Sequence, residues 1–85
     1  MNRSITIRIA MLEALRDMPE GFNKREDLLA GDIGRTVKPR PTEAEFQAAV
    51  RDAECLNYIV GTYNQGLQMH TWAITDAGKC FLAQI

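Results

Sequence analysis

The sequence predicts an α+β fold in which three helices are followed by a β-hairpin and a short C-terminal helix. Up to Leu56, apolar residues recur at steps of three and four, which is typical of helices that bury one face. From Tyr58 onward they alternate with a period of two around the turn-forming residues 64–66, which indicates two paired strands. The change of period therefore marks the boundary between the helical part and the hairpin.

Length and composition favour one globular domain over residues 1–85. A chain of 85 residues can bury one core, and 46% apolar with 25% charged residues is an ordinary globular composition. The formal net charge of −1 gives no overall attraction for nucleic acid or for an acidic membrane, so such binding would need a local basic patch. No uninterrupted apolar run approaches a membrane span, and we expect a cytoplasmic protein without membrane contact.

Residues that usually carry catalysis or bind metals are few. Cys55, Cys80 and His70 lack the number and spacing of a zinc site, and His70 has no recognisable nucleophile as a partner. The sequence therefore predicts no enzyme, no metal site and no cofactor. We expect both cysteines to be reduced and Cys55 to be exposed, while a disulfide between them stays open.

The first helix is expected over residues 5–18, with Ser4 as its N-cap and Pro19 at its end. The β-branched residues 5–7 could instead begin a strand, but residues 10–16 are strong helix formers and favour the helix. Its apolar face is expected to include Ile5, Ile9 and Leu12.

A turn at residues 20–21 leads to the second helix, expected over residues 24–30. Phe22 is predicted to anchor in the core, and Asn23 with Glu26 has the spacing of a capping box. Gly31 supplies a natural stop for this helix. Its buried pair is expected to be Leu28 and Leu29.

Residues 31–41 form the one locally basic segment, with two glycines and two prolines that break regular structure. Arg35, Lys38 and Arg40 follow one another without an acid after Asp32. A solvated loop and a basic binding patch are both consistent with this pattern.

The third helix is expected over residues 43–56. Thr42 and Glu45 have the spacing of a capping box, and Asn57 stands where a left-handed residue usually ends a helix. The buried stripe is expected to contain Phe46, Ala49, Val50, Ala53 and Leu56.

The hairpin strands are expected over residues 58–63 and 67–75. In the second strand His70 shares one face with Trp72 and Ile74, and these two are predicted to close over the helices. Thr75 then caps a last helix over residues 76–84, which returns Phe81 and Leu82 to the core. Gly78 in this helix indicates close packing against the hairpin.

Two stretches, AVRDAECLNYI at residues 49–59 and WAITDAGK at residues 72–79, carry a family resemblance. They resemble the recognition helix, wing and Leu/Ile-Thr-x-x-Gly-Lys/Arg signature of winged helix-turn-helix domains in small bacterial and phage regulators. The resemblance covers about half of the chain, and the upstream helices fit in number and order. It implies a winged helix-turn-helix fold and a transcriptional regulator that binds double-stranded DNA, commonly as a homodimer.

If the third helix enters a major groove, the side opposite its apolar stripe would read the bases. Gln47 could pair with adenine and Arg51 with guanine, while Ala44 and Ala48 would allow close approach or touch a thymine methyl. Cys55 lies on the same side. Candidate contacts from other segments are the cations Lys24, Arg25, Arg35, Lys38 and Arg40 and the wing residues Asn64, Gln65, Gln68 and His70.

Four acids flank the same face, Glu43 and Glu54 on one side and Glu45 and Asp52 on the other, and they weigh against tight DNA binding. Two functions therefore stay open. The first is a DNA-binding regulator with residues 64–68 as the wing tip. If this regulator forms a homodimer, the first helix is the best candidate for the self-contact, although most of its apolar surface is expected to belong to the core. The second is a winged-helix module or phage accessory factor that binds a protein partner instead.

Overall fold

The computed structural model describes residues 2–19 and 22–85 and confirms an α+β fold with the predicted order of helices and hairpin. The elements are α1 (Arg3–Arg16), β1 (Lys24–Arg25), α2 (Glu26–Thr36), α3 (Glu43–Cys55), β2 (Ile59–Asn64), β3 (Met69–Ile74) and α4 (Asp76–Ala83). The three strands form an antiparallel sheet in the order β1-β3-β2. The sequence did not predict β1, which has only two residues. The turn expected at residues 20–21 lies outside the described residues.

Helix α1 is offset from its predicted position. Its N-cap is Asn2 and not Ser4, because Asn2 Oδ1 accepts a hydrogen bond from the Ser4 amide at 2.7 Å. The predicted apolar face is also partly wrong, since Ile5 is 37% exposed. Contacts with α2, α3, β3 and α4 give α1 a broad buried surface on another side. Its buried residues are Ile7, Ala10, Met11, Leu12 and Leu15.

The predicted start of α2 is wrong, because the two side chains of the expected capping box form hydrogen bonds with residues of β3 instead. Asn23 Nδ2 donates to Thr71 Oγ1 at 3.4 Å, and Glu26 Oε1 accepts from Trp72 Nε1 at 3.1 Å. The N-cap is Arg25, which makes no side-chain capping bond. The helix therefore starts at Glu26 and not at residue 24.

The predicted end of α2 is also wrong, since the helix continues through Gly31 to Thr36. Ile33 is 1% exposed and Leu29 is fully buried, so burial of these side chains offsets the low helix propensity of glycine. Leu28, predicted to be buried with Leu29, is exposed. Much of the segment expected to be a basic loop is therefore helical.

Phe22 was predicted as a core anchor, but it is 65% exposed. The side chain precedes β1 and lines a groove with Leu15, Met18 and Val60 on the outer surface. The core is filled instead by residues from the three long helices and the sheet.

Helix α3 agrees closely with its prediction from the sequence. Both hydrogen bonds of the capping box between Thr42 and Glu45 are present, and Asn57 has the expected left-handed conformation with φ 64°. Leu56 is the exception, because it lies beyond the last helical residue and is 47% exposed. The buried stripe consists of Phe46, Ala49, Val50 and Ala53.

The hairpin and α4 complete the core as predicted. Trp72 is 4% exposed, and Ile74 packs against the buried cluster. Thr75 Oγ1 caps α4 by accepting from the Gly78 amide at 3.1 Å. A Cβ on Gly78 would overlap the carbonyl oxygen of Tyr58, which confirms the close packing expected there.

Candidate nucleic-acid interface

The start of α3 is fixed by an ion pair that the sequence analysis did not identify. Arg3 Nε donates to Glu45 Oε2 at 2.6 Å, and Arg3 Nη2 donates to the Pro39 carbonyl at 2.7 Å. The Arg3 hydrogen bond, with help from the Thr42 amide, lowers the pKa of Glu45 to about 2. One side chain thus ties α1 to the first turn of α3. No local pattern could reveal a pair 42 residues apart.

The outward face of α3 presents the predicted side chains together. Ala44, Ala48, Arg51 and Cys55 are exposed, and Gln47 is half-buried beside them. Gln47 Nε2 donates to Glu43 Oε1 at 2.9 Å, so its amide already has one partner. The small side chains leave room for close approach by another molecule.

A groove of about 260 Å³ lies between this face and the sheet. Its aromatic side is formed by His70 and Trp72, whose rings stack at 5.6 Å. Tyr63, which does not line the groove, meets His70 edge-on at 5.3 Å. Carboxylates line the groove too, and one of them, on Glu26, holds the Trp72 indole. The groove is lined by Glu26, Gln47, Val50, Arg51, Glu54, His70 and Trp72.

Three of the predicted phosphate-binding cations are paired with acids. Asp32 accepts from both Lys24 and Arg35, and Arg25 Nη2 lies 2.7 Å from Asp27 Oδ2. The Lys24 side chain is only 18% exposed, and its ammonium group is held by Asp32 of α2. These groups are anchored on β1 and α2, and binding to a phosphate would compete with existing pairs.

The other predicted cations lie in the connection between α2 and α3. Lys38 Nζ donates to the Gly34 carbonyl at 3.0 Å. The Arg40 side chain lies so close to Gly34 that a Cβ there would come within 2.8 Å of Arg40 Nε. Among the described residues neither Lys38 nor Arg40 makes an ion pair, and the same is true of Arg51.

The turn of the hairpin, residues 64–68, carries no charge and exposes amide side chains beside Leu67, which is 39% exposed. Gln65 and Gln68 are exposed in the turn that follows β2. Strand β2 itself starts one residue later than predicted. Gln68 has φ 53°, and Asn64 Oδ1 accepts from the Leu67 amide at 3.1 Å. Residues 55–75 contain no Asp, Glu, Lys or Arg. Any phosphate contact of the wing would therefore be made by amides, hydroxyls or His70.

Acids outnumber cations on the exposed part of α3. Arg3 compensates Glu45, whereas Glu43, Asp52 and Glu54 form no ion pair in the part of the chain that the structure describes. Arg51 is the single cation of the helix. The local field is thus acidic except at Arg51 and at the connection to α2.

Within residues 2–19 and 22–85, no three His, Cys, Asp or Glu side chains are arranged to hold a metal ion. Cys55 and Cys80 are both exposed free thiols. In the same residues, every helix is too short or too polar to cross a membrane.

Comparisons with known proteins support the fold. The crystal structure of TA0346 from Thermoplasma acidophilum, a protein designated a candidate transcriptional regulator, is similar with a TM-score of 0.74 and 20% sequence identity. The match covers 98% of this chain and 79% of that one. No family model matches the sequence, and no curated protein does. The chain therefore has the fold of a protein designated as a regulator.

Proposed function

We propose that residues 1–85 form one winged-helix domain that binds double-stranded DNA and regulates transcription. Helix α3 enters the major groove, and the wing tip at residues 64–68 approaches the backbone. The observation that carries the proposal is the exposed face of α3, where Ala44 and Ala48 leave room on the same side as an arginine that has no ion pair among the described residues. The similarity in fold to a candidate regulator supports the same conclusion.

Base reading falls to two side chains of α3. Arg51 is exposed and offers a planar fork of donors for guanine. Gln47 offers a donor and an acceptor for adenine, after its amide exchanges Glu43 for the base. Ala44 and Ala48 let the helix approach closely.

Phosphate binding is limited to a few cations. Lys38 and Arg40 are the best candidates, since Lys24, Arg25 and Arg35 are paired with Asp27 or Asp32. Each neutralised phosphate contributes roughly 0.9 to the slope of log affinity against log salt concentration. A single domain therefore binds weakly, and a homodimer on two half-sites binds more tightly.

A second function is favoured by the acids around Arg51. Glu43, Asp52 and Glu54 are exposed and form no ion pair within the described residues, so this surface suits a partner protein with basic side chains. Winged-helix domains serve as protein-docking modules as well as DNA readers.

Fluorescence anisotropy with duplex DNA at low and moderate salt distinguishes the two functions. The wild type should bind, and Arg51→Ala should weaken binding. Lys79→Ala is the matched control, because it removes one exposed positive charge from α4. Equal losses in both variants would mean a response to net charge only, and no binding at low salt by the folded protein would favour the protein partner.

A further inference from the structure

His70 is the only histidine of the chain, and it lies in β3 beside the groove between the sheet and α3. Histidine is the residue whose side chain most readily changes its charge between about pH 5 and 8. Residues 55–75 contain no Asp, Glu, Lys or Arg. A proton on His70 is therefore the one positive charge that the hairpin can gain in this range of pH.

Neighbouring rings hold the imidazole of His70 in place. It stacks on Trp72 with a centroid distance of 5.6 Å and an angle of 21° between the planes, and Tyr63 meets it edge-on at 5.3 Å. The indole of Trp72 is fixed in turn by its hydrogen bond to Glu26. His70 is nevertheless exposed, so its ring is accessible to a molecule that binds over the groove. A preorganised side chain of this kind loses little conformational entropy on binding.

Three charged side chains line the same groove as His70. Glu26 belongs to α2, and Arg51 and Glu54 belong to α3. Two negative charges and one positive charge leave the groove with an excess of one negative charge while His70 is neutral. A proton on His70 cancels this excess. Protonation therefore removes the negative charge that opposes a phosphate at this surface.

None of the remaining ionisable groups around His70 pairs with it in the described part of the chain. Both cations of β1 are paired with acids of α2. Asp27 and Glu43 line a neighbouring groove to which His70 does not belong. On β2, the partner of His70 in the register is Tyr63, and a phenol is uncharged below about pH 8. Because His70 forms no ion pair within the described residues, its imidazolium is available to an anion from outside the chain.

We propose that protonated His70 binds a DNA phosphate beside the base that Arg51 reads, so that DNA binding takes up one proton. The inference rests on the proposed function of α3 as a DNA-reading helix. The proton cancels the excess negative charge of the groove and provides a charge-assisted hydrogen bond, which is stronger than a neutral one. Carboxylates stay ionised throughout this range of pH, so Glu26 and Glu54 repel the phosphate more strongly once His70 is neutral. DNA affinity therefore rises as the pH falls.

Fluorescence anisotropy with one duplex at about pH 8 and about pH 5.5, at the same low salt concentration, measures this effect. The wild type should bind roughly tenfold more tightly at the lower pH, which is the gain expected for one charge-assisted hydrogen bond. The slope of log affinity against log salt concentration should also steepen by roughly 0.9, as expected for one more phosphate contact.

Three variants assign the effect to one side chain. His70→Gln keeps a hydrogen-bond donor but cannot be protonated, so it should lose the pH response. His70→Arg carries its charge at both pH values and should bind tightly at both. Cys80→Ser is the matched control, because it removes another exposed ionisable group, on α4, and should keep the response. His70 and Cys80 are both exposed, so all three variants should fold, which circular dichroism checks.

The outcomes separate this inference from the proposed function. A pH response of His70→Gln equal to that of the wild type would overturn the inference, and so would wild-type affinity that stays constant or falls at the lower pH. In both cases DNA binding at the higher pH would leave the proposed function in place. No binding by the folded wild type at either pH would overturn both.

Discussion

Trp72 Nε1 donates a hydrogen bond to Glu26 Oε1 at 3.1 Å, and this bond joins the middle strand of the sheet to the first residue of α2. The indole is 4% exposed and also stacks against His70. Trp72 therefore links the core to the groove beside α3.

We expect Trp72→Ala to lower the free energy of unfolding by about 3 to 5 kcal/mol, because it removes a large buried ring. Arg51→Ala should change the same quantity by no more than about 0.5 kcal/mol, because its side chain is exposed. Urea denaturation followed by circular dichroism measures both. The opposite order of stabilities would contradict the assignment of core and surface.

Two glycine substitutions should have opposite effects. A Cβ on Gly61 would come within 2.5 Å of Trp72 Cζ3, so Gly61→Ala should lower the melting temperature. In α2, Gly31 has only Arg35 Nη1 near such a Cβ, at 3.8 Å. Gly31→Ala should therefore raise stability by about 0.5 to 1 kcal/mol. Thermal melting of the two variants compares them directly, and a stabilised Gly61→Ala would count against the packing of Trp72 on β2.

The parts of the fold that the sequence predicted are those fixed by neighbouring residues. The Thr42 capping box, the left-handed Asn57 and the Thr75 cap depend on residues at most three positions apart, and all were correct. Alternating residues likewise identified Trp72 as part of the core.

The predictions that were wrong concern residues whose structure depends on partners from other parts of the chain. Asn23 and Glu26 have the spacing of a capping box, yet both side chains form hydrogen bonds with residues of β3. Gly31 does not end α2, because burial of Ile33 favours helix up to Thr36. The outward face of α3 was predictable from the helical period, whereas the ion pair of Lys24 with Asp32, which joins β1 to α2, was not. The pair of Arg35 with Asp32 lies three residues apart and forms in the part of α2 that continues past Gly31.

The ion pair of Arg3 with Glu45 should make stability depend on acid pH. Folding lowers the pKa of Glu45 from 4.5 to about 2. The contribution of the ionised Glu45 to the free energy of unfolding is therefore complete above pH 4.5 and is lost as the pH falls toward 2. Glu45→Gln should therefore lose less stability over this range than the wild type.

Urea denaturation at several pH values tests this difference. Glu43→Gln is the matched control, because it removes a carboxylate from the same helical turn and leaves the Arg3 pair intact. A Glu45→Gln profile as steep as those of the wild type and the control would contradict the role of the pair.

The salt dependence of DNA binding should show which of the candidate cations contact phosphates. Arg40→Ala should reduce the slope of log affinity against log salt by roughly 0.9, as expected for one lost phosphate contact. Lys24→Ala should leave the slope nearly unchanged, because Lys24 is held by Asp32. Anisotropy titrations at several salt concentrations give both slopes, and a larger change for Lys24→Ala would reverse this assignment.

The most direct test of α3 as a DNA-reading helix is a titration of isotope-labelled protein with duplex DNA at low salt, followed by amide NMR shifts. The largest shifts should fall on Ala44, Gln47, Ala48 and Arg51, with smaller ones at residues 64–68 and little change in α4. Shifts concentrated on α1 and α4, or no shifts at saturating DNA, would contradict DNA reading by α3.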